Sequence, residues 1–447
     1  MAYGNDTGRP GRVREVESVR GVKAGEAMSL RPGRRVVWVL LAWLAWAPLP
    51  ATADPADTVG ISSEARGTAL SCVASGTSGG MAFYNPAGLT GEDGLAIAVS
   101  GGHVWSMLAE QTTAGGSFAE LAVRLPLFVA GGVPRFSVGL AAQMPTDSIY
   151  RIRMVDDEDP LYPLYSPRER RLAMAGGFSI RPWDWIAVGT GLELLPQVSG
   201  RVVLDLADPG GRNEMHVVAG YRLRPLAGLR IEPLPWMKLG LSWRVENSTD
   251  LEIPAEVTAE GLVLSARVTA QAYYVPHTLS AGIAAAATND LWFEAGLSWY
   301  RYGTFPEPSP DADLFDTSGT DSLGDTAATS TFHDVVSPAL SVRWNGPIVL
   351  SGGYRFAPAA LERQTGKTNL LDADRHTASL GAAVPVVSYP GLGALLLTAD
   401  AAFSYLPERI HYKEEVLVGN PGYPSIRSGG WRMAATLGFE IRKGGSR

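Results

Sequence analysis

Four cations stand where a side chain could hold an anion: Lys238, Arg244, Arg343 and Arg355. Three of them lie in stretches where apolar residues alternate clearly with small or charged ones. In 236–246, Met237, Leu239, Leu241, Trp243 and Val245 fall on one side, and Lys238, Gly240, Ser242, Arg244 and Glu246 on the other. In 334–344, Val336, Leu340, Val342 and Trp344 oppose Ser337, Ala339, Ser341 and Arg343, and Arg355 takes the polar side of 347–356. Successive side chains of a strand point to opposite faces, so all four cations share the polar face. A guanidinium fixed on a semi-apolar wall can hold a carboxylate through charge-assisted hydrogen bonds. Asn345-Gly346 suits a two-residue hairpin, which would bring Arg343 and Arg355 to the same end of adjacent strands. The competing reading is that each arginine pairs with an acid on the same face, such as Glu294 or Asp400, and only holds the wall together.

Other chemistry is sparse. None of the six histidines (103, 216, 277, 333, 376 and 411) falls in a Ser/His or His/metal pattern, so no enzyme, cofactor or metal site is expected. Cys72 alone excludes an internal disulfide framework and reads as a packed small residue. Asp311–Asp325 is acidic with alternating oxygen ligands but lacks the full calcium-loop pattern, and reads as a solvated loop.

The positioning elements begin after a leader. Val36–Ala47 is a 12-residue apolar run, too short for a bilayer helix, preceded by Arg31, Arg34 and Arg35 and followed by Ala51-Thr52-Ala53. That is a secretory signal over 1–53, with Met28 as an alternative start. The leader carries eight basic and four acidic residues, so a chain that stands at -7 overall stands at -11 without it. This excludes a nucleic-acid partner, which needs a basic surface.

Fourteen stretches read as two-faced strands: 94–105, 116–128, 134–143, 171–181, 185–196, 212–224, 236–246, 277–287, 290–301, 334–344, 347–356, 376–386, 393–404 and 430–442. Past the third, most of their connections alternate between long and short. The expected fold is all-β, a transmembrane antiparallel β-barrel of about 14 strands over 94–447, with short turns on the periplasmic side. An even count closes the sheet and leaves no edge in lipid. Val257–Tyr274 also alternates and would extend a hairpin beyond the membrane. Trp183, Trp185, Trp236, Trp243, Trp299, Tyr300, Trp344, Tyr405 and Trp431 suit interfacial aromatic girdles.

Residues 54–93 differ. From 60 they lack period-2 alternation, are rich in Gly, Ser, Ala and Thr, and carry too little charge to stay solvated as a disordered tail. They read as a hatch folded into the lumen, with Asn85-Pro86-Ala87 as its turn. Phe83-Tyr84-Asn85-Pro86-Ala87-Gly88-Leu89 resembles the hatch-closing element of the FadL-like outer-membrane transporters for long-chain fatty acids and hydrocarbons. Arg66-Gly67-Thr68-Ala69 and Gly79-Gly80-Met81-Ala82 sit where that family has its hatch helices. Pro276–Phe305 is similar to its middle hairpin, and Gly353–Phe356 with Thr368–His376 and Ser379–Gly381 to a late strand–loop–strand.

The resemblance implies passive uptake of a hydrophobic small molecule across a bacterial outer membrane. The molecule is captured at outer loops, passes to a lumenal pocket, and leaves when the hatch or a kinked strand moves, in part through a gap in the wall. Pro145 after Gly139–Met144 would either supply such a kink or simply end the strand at its loop. It also implies a monomer in contact with outer-membrane lipid and lipopolysaccharide, assembled by the barrel assembly machinery. Lys238, Arg244, Arg343 and Arg355 are the candidates for a ligand carboxylate. The chain departs from many barrels in continuing past Phe439 to Arg447. A general porin or structural barrel and an outer-membrane lipid enzyme are the alternatives; the plug-like segment argues against the first.

Overall fold

The computed structural model describes residues 57–92, 94–110, 114–146, 160–165, 172–205, 214–259, 262–305, 311–315, 331–389, 393–415 and 420–443. The leader therefore lies outside the described residues. Strands follow in the order β1 (Leu95–Leu108), β2 (Ala114–Ala130), β3 (Val133–Pro145), β4 (Ala173–Trp183), β5 (Ile186–Asp205), β6 (Glu214–Leu234) and β7 (Met237–Arg244). Next come β8 (Asn247–Ala259), β9 (Leu262–Val275), β10 (Thr278–Ala286), β11 (Leu291–Tyr300), β12 (Asp311–Phe315) and β13 (Val335–Asn345). The last are β14 (Val349–Ala357), β15 (Arg375–Tyr389), β16 (Gly393–Tyr412) and β17 (Ser425–Lys443).

Fourteen of these close a ring of antiparallel neighbours. β7 pairs with β10, β11 pairs with β13, and β17 returns to β1 with Val99 opposite Phe439. No edge strand is left in the ring. The expected strands all occur, most of them extended by a few residues at one or both ends. β8 and β9 form the expected extra hairpin, standing where the loops are long, and β5 and β12 add to it. The first five residues of the acidic 311–325 stretch are thus β12 rather than loop, because β9 offers an edge with Asp311 opposite Thr269. The rest of that stretch lies outside the described residues.

The two faces follow the alternation. Leu340, Leu380 and Leu437 are 61%, 71% and 59% exposed on the outside, while Ser337, Thr436 and Glu440 face inward and are buried. Trp183, Trp185, Trp236 and Trp344 stand exposed at the turn end, and Trp243 and Tyr405 at the loop end. Tyr300 does not join them. It has the inward parity of Glu294 on β11 and is 5% exposed.

Two local expectations need correction. Asn345 is the last residue of β13 and faces Val349, so three residues, Gly346–Ile348, make the turn. Pro347 has a fixed φ and no N–H to donate, which does not suit a two-residue hairpin. Two-residue turns join β2 to β3, β4 to β5 and β6 to β7; in the first, Gly131-Gly132 has φ of 62° and 75°, the left-handed pair such a hairpin favours. Pro145, in turn, is the last residue of β3, and Gly139–Gln143 pair with both β2 and β4 without a register shift. No kink interrupts the wall there.

Residues 57–92 fill the interior of the ring. Ser62 accepts the Ala65 N–H to start the helical turn Ser63–Gly67. Asn85 caps a 3₁₀ turn over Pro86–Thr90, its Oδ1 accepting the Ala87 N–H at 3.2 Å with proline in the first turn. Ile61, Met81, Phe83 and Leu89 form the insert's own apolar core.

Candidate functional site: an insert latched to the barrel wall

The insert approaches the wall where side chains are missing. Inward glycines lie opposite one another on neighbouring strands: Gly139 with Gly177, Gly189 with Gly228, Gly240 with Gly282, and Gly282 with Gly296. A Cβ on Gly228 would lie 2.0 Å from Asn85 Oδ1, on Gly189 2.4 Å from the Ala87 nitrogen, and on Gly240 2.3 Å from the Val73 carbonyl. Across the ring, one on Gly353 would lie 2.3 Å from Thr68. The wall is therefore a belt of small residues shaped to this backbone. The Asn85 side chain completes the fit by donating to the carbonyls of Val73 (2.7 Å) and Leu229 of β6 (3.1 Å).

Around that belt, charged side chains fasten the insert from several strands. Arg66 is fully buried and pairs with Glu120 of β2 at 2.6 Å and with Asp400 of β16. Glu294 of β11 accepts the N–H groups of Ala74 (2.9 Å) and Ser75 (3.0 Å). Arg124 of β2 donates to the Thr77 carbonyl, and Arg230 of β6 to that of Gly76. Arg343 of β13 pairs with Glu64, and Arg244 of β7 with Asp57. Burial alone would raise the Asp57 carboxyl, but Arg244, Arg355 and Arg224 hold it down at about 2. Glu92 is held at about 2 in the same way by Arg442 and Arg124, and Glu64 is lowered by Arg343.

The four cations singled out in the sequence thus divide. Arg244 and Arg343 hold carboxylates of the insert rather than Glu294 or Asp400. Arg355 donates to Ser337 Oγ (2.8 Å) and the Tyr300 hydroxyl (2.6 Å) and reaches the Asp57 carbonyl at 3.4 Å. Lys238 sits 4.1 Å from the centre of the Trp292 ring. Arg343 and Arg355 are not close: Arg343 faces Ser351, four residues before Arg355 on β14, or about 13 Å along the strand. Arg343 lies near the turn end and Arg355 near the loop end. Sequence reasoning missed Arg66, Asp57, Glu64 and Arg375 as site residues. It missed Glu120 and Arg124 as well, and for those two their shared inward parity on β2 is a signal that could have found them.

Beside Asp57 is a cavity walled by Leu164, Tyr165, Tyr300, Tyr302 and Val335, with Arg355 and Arg375 among its lining. It lies between the insert and an apolar cap built from the loops, which includes Tyr162, Leu361 and Leu371. A second space lies on the turn side around Glu64 and Arg343, bounded by Thr398, Glu440 and Arg442.

One buried Ser–His pair could be mistaken for a hydrolytic dyad. His411 Nδ1 accepts the Gln364 N–H at 3.0 Å, so Nε2 carries the proton toward Ser428 Oγ, 3.0 Å away. Ser428 in turn donates to the Asp372 carbonyl at 2.7 Å. The imidazole is oriented to give a hydrogen bond to the serine, not to take its proton.

A closed 14-stranded barrel with an interior insert fastened by arginines defines the class. No family model and no curated protein matches the sequence. Among solved structures, the chain is similar to a Pseudomonas aeruginosa FadL homologue, with 15% identity and a TM-score of 0.55 over 88% of this chain and 98% of that one. It is also similar to the CymD monoaromatic hydrocarbon channel (12%, 0.54, 87% and 99%) and the Pseudomonas putida toluene transporter TodX (11%, 0.51, 88% and 100%). The fold is that of the FadL-like channels.

Proposed function

We propose that the protein is an outer-membrane channel for passive uptake of hydrophobic compounds, long-chain fatty acids among them. The observation that carries this reading is the pairing of an apolar exterior with an interior closed by the insert. Exposed leucines and aromatics circle the whole ring, more apolar surface than a soluble protein tolerates. Lipid removes that cost, and the inward placement of every latch charge avoids the ~2–4 kcal/mol that a charge on the lipid face would incur. The tight turns then face the periplasm and the long loops the outer leaflet and its lipopolysaccharide. The insert, spanning residues 54–93 with Asn85-Pro86-Ala87 as its lock, serves as the hatch. Arg244 and Arg355 on the loop side, then Arg343 and Lys238 on the turn side, offer a carboxylate successive partners as hatch contacts exchange. An open porin for polar solutes is disfavoured because the insert fills the lumen.

The test is uptake in cells lacking their own channels of this kind. Expression is expected to restore entry of oleate and of a neutral hydrocarbon while leaving arabinose entry unchanged. Arabinose entering as readily as oleate would make the protein a general porin.

A further inference from the structure

Part of the roof over the loop-side cavity is held down by a single strand end. β16 runs on past Tyr405, the loop-end aromatic, and Arg409, His411 and the following Lys413 turn toward the cap. All three reach the main chain of the loop Leu361–Thr368. Arg409 Nη1 donates to the Leu361 carbonyl at 2.7 Å, and His411 Nδ1 accepts the Gln364 N–H at 3.0 Å. Lys413 Nζ donates to the carbonyls of Gly366 (2.9 Å) and Thr368 (2.7 Å). The loop has no helix or strand of its own. Isolated bridges pin its flanks, Leu361 to Phe332 and Leu370 to Leu161. Between them, 363–368 rests on His411, Lys413 and the turn that follows, where the Glu414 N–H and the Asn420 amide donate to the Thr365 carbonyl. Of the three side chains on the strand end, only His411 must be uncharged. The lone pair that accepts the Gln364 N–H is the one a proton would take, and an imidazolium is a donor at both nitrogens.

We infer that the loop 363–368 is a pH-sensitive lid at the loop end of the barrel, shut by neutral His411 and released when that imidazole takes up a proton. The inference goes beyond the channel reading and stands without it, since it concerns the roof and not what passes beneath. No acid waits to receive the new charge. Arg409 and Lys413 on the strand end and Arg363 on the lid are all cations. β17 offers the neutral Ser428 at 3.0 Å, while its Arg427 is turned outward to Glu408. The Asp372 carboxylate is taken up by the N–H groups of Ala360 and Ala373 and the Tyr165 hydroxyl, and Glu362 and Glu414 are exposed. Burial first, then Arg409, Lys413 and Arg363, hold the His411 imidazole down at about 4 against an ordinary 6.5. The open lid therefore binds more protons between those limits. Closure is fully present above pH 6.5 and is lost as pH falls toward 4, by up to about tenfold per pH unit. The carboxylates Asp57 and Glu92 titrate lower, at about 2, so on acidification the lid loosens before the insert does.

The test is hydrogen exchange on the full chain in non-ionic detergent at pH 7 and pH 4.5, read by mass spectrometry with the intrinsic pH dependence of amide exchange divided out. In the wild-type chain, protection over 361–368 is expected to fall at least roughly tenfold at the lower pH, while protection of β13 in the ring stays unchanged. His411→Asn leaves a side-chain oxygen able to accept the Gln364 N–H and cannot take up a proton. It should protect 361–368 equally at both pH values. Wild-type protection that does not change with pH overturns the lid, and so does a loss in His411→Asn as large as in wild type. If His411→Asn leaves 361–368 unprotected even at pH 7, the imidazole itself decides. Its ring Cε1–H resonance is the one missing from the variant's spectrum. A titration midpoint well below 6.5 in the wild-type chain upholds the switch, and one at or above 6.5 overturns it.

Discussion

Arg66 is the most heavily committed side chain of the hatch, so its removal is the sharpest test of how the hatch is held. Its guanidinium is fully buried, as are the carboxylates of Glu120 and Asp400 that it pairs with, and it lies 5.4 Å from the Phe118 ring. Arg66→Met keeps much of the apolar stem and removes the guanidinium, with its charge and its bond to the Gly60 carbonyl. Two carboxylates then stay buried without their cation. Glu120 retains Ser100 and Gln143, both at 2.8 Å, and Asp400 retains Thr436. These neutral donors stabilise the charges less than Arg66 does. Removing one partner of a buried ion pair costs about 3–5 kcal/mol. The barrel ladders do not pass through Arg66, so the loss falls on docking of the hatch. At about 1.4 kcal/mol per decade, the undocked population rises by roughly two to three and a half powers of ten. Single-channel recording in planar bilayers reads this directly: rare openings should become frequent. The triple variant Arg66→Met, Glu120→Met, Asp400→Leu should return toward closure, because an apolar replacement of a buried pair is often neutral or stabilising. If Arg66→Met barrels of normal heat-modifiable mobility conduct like wild type, the hatch is held elsewhere and the argument from Arg66 fails.

Gly240→Ala places a methyl 2.3 Å from the Val73 carbonyl with more hatch backbone behind it. It should weaken hatch docking by about 1–3 kcal/mol and speed hydrogen exchange at Val73–Ser75, whereas Gly176→Ala, which meets nothing within 4 Å, should leave exchange unchanged. Acid should also open the hatch. Asp57 sits at about 2 against an ordinary 3.8 and Glu92 at about 2 against 4.5. The undocked state therefore binds more protons between those limits, and docking energy present above pH ~4.5 is lost as pH falls toward 2, about 2 kcal/mol from Asp57 alone. Conductance that stays flat from pH 5 to pH 2.5 would count against the carboxylate latches.

Much of the wall was legible because its physics is local. Period-2 alternation depends only on neighbours in the chain, and it placed Leu241 and Trp243 outside and Ser242 and Arg244 inside. Small inward residues were visible too: Gly189 and Gly191 on β5, and Gly240 on β7. Their purpose was not, since a glycine opposite a glycine shows a gap without naming what enters it. After Asn345 the Asn-Gly pair signals a tight turn, but the proline that follows lengthens it by a residue. Tyr300 has the residue type of a girdle but the parity of the lumen, and parity decides its place. Its neighbour Trp299 has the outward parity.

The partners of the inward charges were not legible, for a reason that bears on how the insert is held. Arg343 meets Glu64 across 279 residues of chain, and Arg66 meets Asp400 across 334. Face assignment gives the direction of a side chain and nothing about what waits in the lumen. The first expectation, acids of the wall, would have made a barrel braced against itself. The acids that pair with Arg244 and Arg343 belong to the hatch, as does the cation between Glu120 and Asp400, so the same contacts that complete the interior also close it. A wall that satisfied its own charges could hold a plug only by shape. Here separating the insert from the wall strands buried charges on both sides, so on the proposed reading the hatch stays docked by charge as well as by shape.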